Sequence, residues 1–165
     1  MGRISAVTGT AAVLTAVAAL AACNSHNSGS AAPETSASAA APQKLDGTSW
    51  QLLQIQSSDD AQGITTVDDP SKFTVSFGPD GQAAIKLDCN TGGGSWTAEP
   101  AEGGESGTLT FGPIRQTLMA CGDGSLDGRV GQELSNVTGY LFRDGQLHLS
   151  TKFDGSTLTW RPTPS

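Results

Sequence analysis

The chain has 165 residues and a formal net charge of −7. No basic cluster offsets that charge, so nucleic-acid phosphates would be repelled and nucleic-acid binding is excluded as a role. The length allows about one domain, and aromatic residues make up only 5% of it, so any core must be modest.

Arg3 is the only charged residue among the first thirty. The uncharged run from Ile4 to Ala22 that follows it has the layout of an export signal, a short basic start and then an apolar stretch. A permanent membrane helix is the rival reading. The run barely reaches spanning length, is rich in Ala and Thr, and is followed by no basic stop-transfer cluster. It ends in Leu20-Ala21-Ala22-Cys23, the lipobox pattern of an apolar residue, two small residues and Cys. Small side chains let the extended backbone enter a peptidase cleft, and the thiol is the nucleophile that takes up diacylglycerol. Residues 1–22 are therefore predicted to be a lipoprotein signal peptide, with lipidation at Cys23. Residues 23–43 follow as the lipidated Cys and a flexible tether of Ser, Ala, Pro, Asn and Thr, with no apolar residue larger than Ala after Cys23. Such a composition cannot bury enough surface to offset chain entropy. Folding is left to residues 44–163, roughly 120 residues and a single core.

From Lys44 onward the pattern is mostly strand. Trp50-Gln51-Leu52 begins an alternation after the turn-like Asp46-Gly47. Phe73, Val75 and Phe77 alternate with Thr74 and Ser76, and Ala83, Ile85 and Leu87 alternate across the turn Gly78-Pro79-Asp80-Gly81, which reads as a hairpin. Gly92-Gly93-Gly94 reads as a flexible turn, Ser95 to Ala98 as a short strand, Glu99 to Gly107 as a loop and Thr108 to Phe111 as another strand. Leu126, Val130, Leu134 and Val137 recur at helical spacing and predict one short helix with an apolar stripe, weakened by Gly128 and Gly131. Tyr140-Leu141-Phe142 and Gln146 to Leu149 form a hairpin about Asp144-Gly145. Asp154-Gly155 turns into the last strand, Thr157 to Trp160; Asp-Gly pairs supply the positive φ of tight turns. The expected fold is α+β and mostly β: a curved antiparallel sheet, or partly open barrel, of about seven or eight strands with one packed helix.

Once Cys23 carries lipid, Cys89 and Cys121 remain. In an exported domain an even remainder reads as a disulfide, which would close a loop of about 33 residues and stabilise the fold by about 3 to 4 kcal/mol. Two buried free thiols are the other possibility. His148 is the domain's only histidine, so no metal set forms around the cysteines.

These pieces, in this order, resemble the META domain (HslJ-like) family. Its opening Gly-Thr-x-Trp-x-Leu is matched by Gly47-Thr48-Ser49-Trp50-Gln51-Leu52. Its Gly-Cys-Asn is matched by Asp88-Cys89-Asn90, with Asp in place of Gly, and its Ile-x-x-Thr-x-Met-Ala-Cys strand by Ile114, Thr117, Met119, Ala120 and Cys121. Trp96 stands where the family usually has Tyr. The family motif residues are thus Trp50, Asn90, Thr117 and Met119. The resemblance covers nearly all of the domain and implies a curved sheet with a helix packed on it, similar to the cracked barrel of type III secretion pilot lipoproteins. It implies an exported or lipid-anchored, in some members stress-related, role and brings no catalytic residues.

The residues themselves point the same way. A Cys nucleophile would need His148 as its base, but His148 lies between Leu147 and Leu149 and so takes the opposite, outward face of its strand. Asn90 reads as a turn stabiliser. Asp123, Ser125 and Asp127, followed by Gly128, resemble the first half of a calcium loop. Position twelve is Leu134 rather than a bidentate acid, and the plainer reading is an acidic loop before a helix start. Neither a metal, a cofactor nor a catalytic site is expected. The sequence reads as a lipid-anchored, outward-facing envelope protein that reaches the membrane through Cys23 and binds an envelope protein. The alternative is a small-ligand or lipid-tail binder using the barrel interior, against which the large residues Phe73, Phe77, Phe111 and Trp160 argue if they point inward.

Overall fold

A ring of hydrogen bonds organises the molecule. The computed structural model describes residues 44–164; the predicted signal peptide, Cys23 and the tether lie outside them. The strands are β1 (Thr48–Ser57), β2 (Ile64–Thr66), β3 (Phe73–Phe77), β4 (Gln82–Leu87), β5 (Asn90–Pro100), β6 (Ser106–Phe111), β7 (Arg115–Gln116), β8 (Val137–Arg143), β9 (Gln146–Thr151) and β10 (Ser156–Pro162), with helix α1 (Asp127–Ser135) between β7 and β8. Strands β1, β3, β4, β5, β6, β8, β9 and β10 pair in that order, and β10 pairs again with β1. The mostly β antiparallel fold with one helix is the one the sequence predicts, with eight strands in the ring. The closure is complete rather than partial, because Leu52 sits opposite Trp160 and Ile55 opposite Leu158. Closure removes exposed sheet edges, which are a liability. Two short strands, β2 beside β1 and β7 beside β5, have too few residues to leave a periodicity in the sequence.

Alternation sends one face of each strand inward. Leu52, Ile55, Val75, Leu87, Leu109, Leu147, Leu149, Leu158 and Trp160 are fully buried or nearly so. Phe73 and Phe77 join them, and Phe111 packs against the cluster from a partly buried position. Phe77 stacks on Phe111 at 5.9 Å and meets Trp96 edge-on at 5.2 Å. The barrel is filled by side chains, as expected at this strand number.

Helix α1 closes one mouth. β1, β4 and β9 end there and β3, β5 and β10 begin there, and α1 reaches several of them. Arg129 donates to Thr65 Oγ1 at 2.9 Å, and Ser156 Oγ donates to Glu133 at 2.9 Å. Val130 and Leu134 are completely buried. The predicted stripe is real but the helix is shorter than it: Val137 is already the first residue of β8. Gly131 sits tightly, since a Cβ there would come within 2.9 Å of Gln116 Oε1 and touch Leu87 at 3.4 Å.

Three local expectations are corrected. Gly92-Gly93-Gly94 is not a turn but part of β5. A Cβ on Gly92 would meet the Arg115 carbonyl at 2.6 Å, on Gly93 the Ala83 carbonyl at 2.6 Å, and on Gly94 the Pro113 carbonyl at 2.9 Å. Only glycines let β4, β7 and the chain leading to β7 lie so close. The strand implied around Ile114–Cys121 shrinks to Arg115–Gln116, and the rest is irregular chain held by side chains. At the β9–β10 turn the positive φ falls on Phe153 (59°), whereas Gly155 is right-handed at −72°. Asp144-Gly145 does behave as the sequence suggests, with φ of 53° and 73°.

Candidate functional site

The most elaborate polar arrangement grows from the turn between β4 and β5. Asp88 takes a left-handed conformation, φ 57°, where the family resemblance has Gly; Asp is among the few other residues that tolerate it. Its carboxylate pairs with Lys72 Nζ at 3.1 Å. A hydrogen bond from Ser125 and then Lys72 hold its pKa below the ordinary carboxylate value. The next residue, Cys89, is bonded to Cys121, with Cα atoms 5.6 Å apart, so the predicted disulfide forms and the free-thiol alternative falls. Such a bond suits an oxidising, extracytoplasmic compartment.

Asn90 follows, and only 1% of it is exposed. Its Oδ1 accepts from Thr117 Oγ1 and from the Met119 backbone N–H, both at 2.8 Å. Its Nδ2 donates to the Met119 carbonyl at 3.0 Å, to Asp127 Oδ2 at 3.1 Å and to Cys121 Sγ at 3.3 Å. Thr91 and Thr117 add a backbone bond of 2.9 Å. Asn90 therefore does more than stabilise its own turn, as the sequence suggests. It ties β5, the chain from Thr117 to Cys121 and the first residue of α1 into one clasp. A buried amide is costly unless its bonding capacity is used, and here both ends are used. The clasp brings together Cys89, Asn90, Thr117, Met119 and Cys121. It holds the backbone so that Leu118 is 85% exposed and Met119 57% exposed.

The remaining predicted residues lie elsewhere. Trp50, at the other mouth, is 5% exposed; its Nε1 donates to Thr48 Oγ1 at 2.8 Å and its ring lies 5.8 Å from that of Phe142. His148 is on the outer face, with Nδ1 3.3 Å from Thr159 Oγ1, while Leu147 and Leu149 are buried. Desolvation and then Arg143 lower its pKa, with Asp144 opposing. It adjoins an outer groove of about 620 Å³ that also touches Pro100, Gly107, Gly139 and Leu141. Of the calcium-like loop, Asp127 gives its carboxylate to Asn90. Among the described residues no group of three or more His, Cys, Asp or Glu is arranged to hold a metal ion, and no helix is long and apolar enough to cross a membrane. Sequence reasoning missed Asp127 as the third anchor of the clasp and missed the display of Leu118. Two large apolar residues beside a structural Cys were the available signal.

With this geometry in place, comparison decides the family. Residues 43–163 match the META domain. The chain belongs to the META domain family. Its META domain is similar in structure to a protein from Burkholderia xenovorans solved by NMR, with a TM-score of 0.56 and 25% identity, covering 81% of this chain and 98% of that one. It also aligns with a DUF4847 family protein from Bacteroides vulgatus at a TM-score of 0.47 and 13% identity, covering 70% of this chain and 92% of that one. No curated protein matches the chain.

Proposed function

We propose that this META domain is the outward-facing part of a lipoprotein and acts as a non-catalytic interaction module in the cell envelope, where a stress-related role would also fit. Acylation at Cys23 anchors it, and residues 24–43 carry it clear of the headgroups. The observation that carries the interaction reading is the clasp. A buried Asn90 and a disulfide are both committed to holding one surface loop in a fixed shape. The filled barrel supports the same reading over a ligand held in the interior, because Trp160, Phe77, Leu52 and Leu158 occupy that space. Hydrolytic chemistry needs an activated nucleophile, a bound metal or two carboxylates with separated pKa values. The domain's two cysteines are bonded to each other and His148 faces Thr159.

Two measurements test this. The N-terminal mass and membrane partition of wild type and Cys23→Ala should differ, with diacylglycerol on Cys23 of the wild type only; an unmodified Cys23 in exported protein overturns the anchor. Cross-linking in intact cells should capture a defined envelope protein, and shortening residues 24–43 should reduce it. Turnover on an envelope substrate that His148→Ala abolishes would overturn the non-catalytic reading.

A further inference from the structure

The large apolar side chains left exposed among the described residues are Ile64, Leu118, Met119 and Phe153. The topology puts all four at one end of the barrel, the mouth covered by α1. Ile64 pairs opposite Gln56 near the end of β1. Phe153 lies in the β9–β10 turn, whose Gly155 carbonyl accepts from Ser58 N–H at 3.1 Å. Leu118 and Met119 are held by Asn90 at the start of β5. Large apolar residues scattered singly over a surface carry no message, but a set gathered on one end does.

Beside Ile64 and the clasp, reached through their chain neighbours Thr65 and Asp88, lies a groove of about 320 Å³ that is also lined by Val67, Asp123 and Ser125. Asp68 and Asp69 also line it. Lys72 is the one basic residue among its lining residues, and it is already paired with Asp88. The lining thus carries four carboxylates, Asp68, Asp69, Asp88 and Asp123, against Lys72, with Lys86 also acting on Asp69 and Asp88 and Arg129 bonded to Thr65 at the rim; Val67, Phe73 and Leu126 supply its apolar wall.

We propose that this groove docks an extended segment of a partner protein in which apolar side chains are interspersed with lysine or arginine. The proposal rests on the interaction reading above and names the chemistry of its partner. Charge complementarity selects that occupant. The tether offers no apolar side chain larger than Ala after Cys23. A second copy of this chain, at a net −7, presents the same carboxylates, and an anionic bilayer is repelled by them. The disulfide and the Asn90 bonds fix Leu118 and Met119 before a partner arrives, so little ordering cost remains at binding.

The test uses the protein as the cell exports it, held in phosphatidylcholine nanodiscs, with empty nanodiscs subtracting peptide–lipid binding. Three fluorescent synthetic peptides are titrated: alternating Leu and Lys, alternating Leu and Glu, and alternating Ser and Lys. The Leu/Lys peptide should bind, more weakly as salt rises, and the other two should not. Affinity should fall by at least about tenfold in Leu118→Ser with Met119→Ser and in Asp68→Asn with Asp123→Asn. These are surface positions, so folding should be unchanged by circular dichroism. Unchanged binding in both double variants overturns the proposal. So does burial of Leu118 and Met119 in the bilayer, or a dimer in sedimentation that Leu118→Ser with Met119→Ser abolishes. If the peptide result fails while cellular cross-linking still finds a partner, the groove is wrong and the interaction module stands; loss of both removes the module reading as well.

Discussion

The two mouths of this barrel each hold a family motif, and they use polar atoms in opposite ways. At the mouth where the chain enters the domain, Trp50 is satisfied by a neighbour two residues away, Thr48, and Thr48 itself bonds the Leu45 carbonyl. The motif is self-contained, and its output is a buried ring. At the α1 mouth, Asn90 is satisfied only by residues 27 to 37 positions away. Its output is a surface loop with two apolar side chains facing outward. One motif builds the core; the other positions a surface.

Trp50→Ala should be the more damaging change. It empties a core site beside Phe142, and large-aromatic deletions in cores cost about 3–5 kcal/mol. Chemical denaturation should show that loss over the whole transition, with amide exchange faster throughout. A loss under about 1 kcal/mol would mean that the Trp50 mouth can collapse onto the gap. Asn90→Ala should cost less, about 1–3 kcal/mol, the range for stranding buried hydrogen-bond partners. Its signature should be local: exchange at Met119 and Thr117 should quicken far more than at the β9 and β10 amides. Uniform acceleration would mean that the clasp is part of the core after all and erase the contrast between the mouths.

The alternating strands, the two hairpins with well-formed Asp-Gly or Pro-Asp-Gly turns, and the helix stripe were legible because each is a local pattern. So was the disulfide, which was read from cysteine parity and the predicted export. The clasp residues could be picked out, yet their function was not. Nothing in the spacing of Asn90, Thr117 and Asp127 says that one amide will reach all three. Gly92-Gly93-Gly94 misled for the same reason. Glycine suits both a turn and a close backbone approach, and the neighbours that decide between them are set by pairing: Ala83 of β4 beside Gly93, and, from further along the sequence, the chain from Pro113 to Arg115 beside Gly92 and Gly94. Ring closure is likewise a long-range fact, made by β1 and β10 from opposite ends of the domain.

The smallest effect expected is one of pH, and it separates the outer face from the clasp. Desolvation lowers the pKa of His148 below its ordinary value of 6.5, so the folded protein binds that proton less readily than the unfolded chain. Stability should therefore be fullest above about pH 6.5 and decline as pH falls below it, through the folded-state value. Asp88 is also lowered, from 3.8, and its contribution is present above that value and lost only in more acidic solution. Denaturant melts of wild type and His148→Gln, taken between pH 7 and pH 5, should diverge in slope, with the variant flatter. Asp88→Asn should leave this window unchanged and alter the acid limb instead. A His148→Gln profile that still parallels wild type would show that the outer face leaves the histidine as free to protonate as in the unfolded chain.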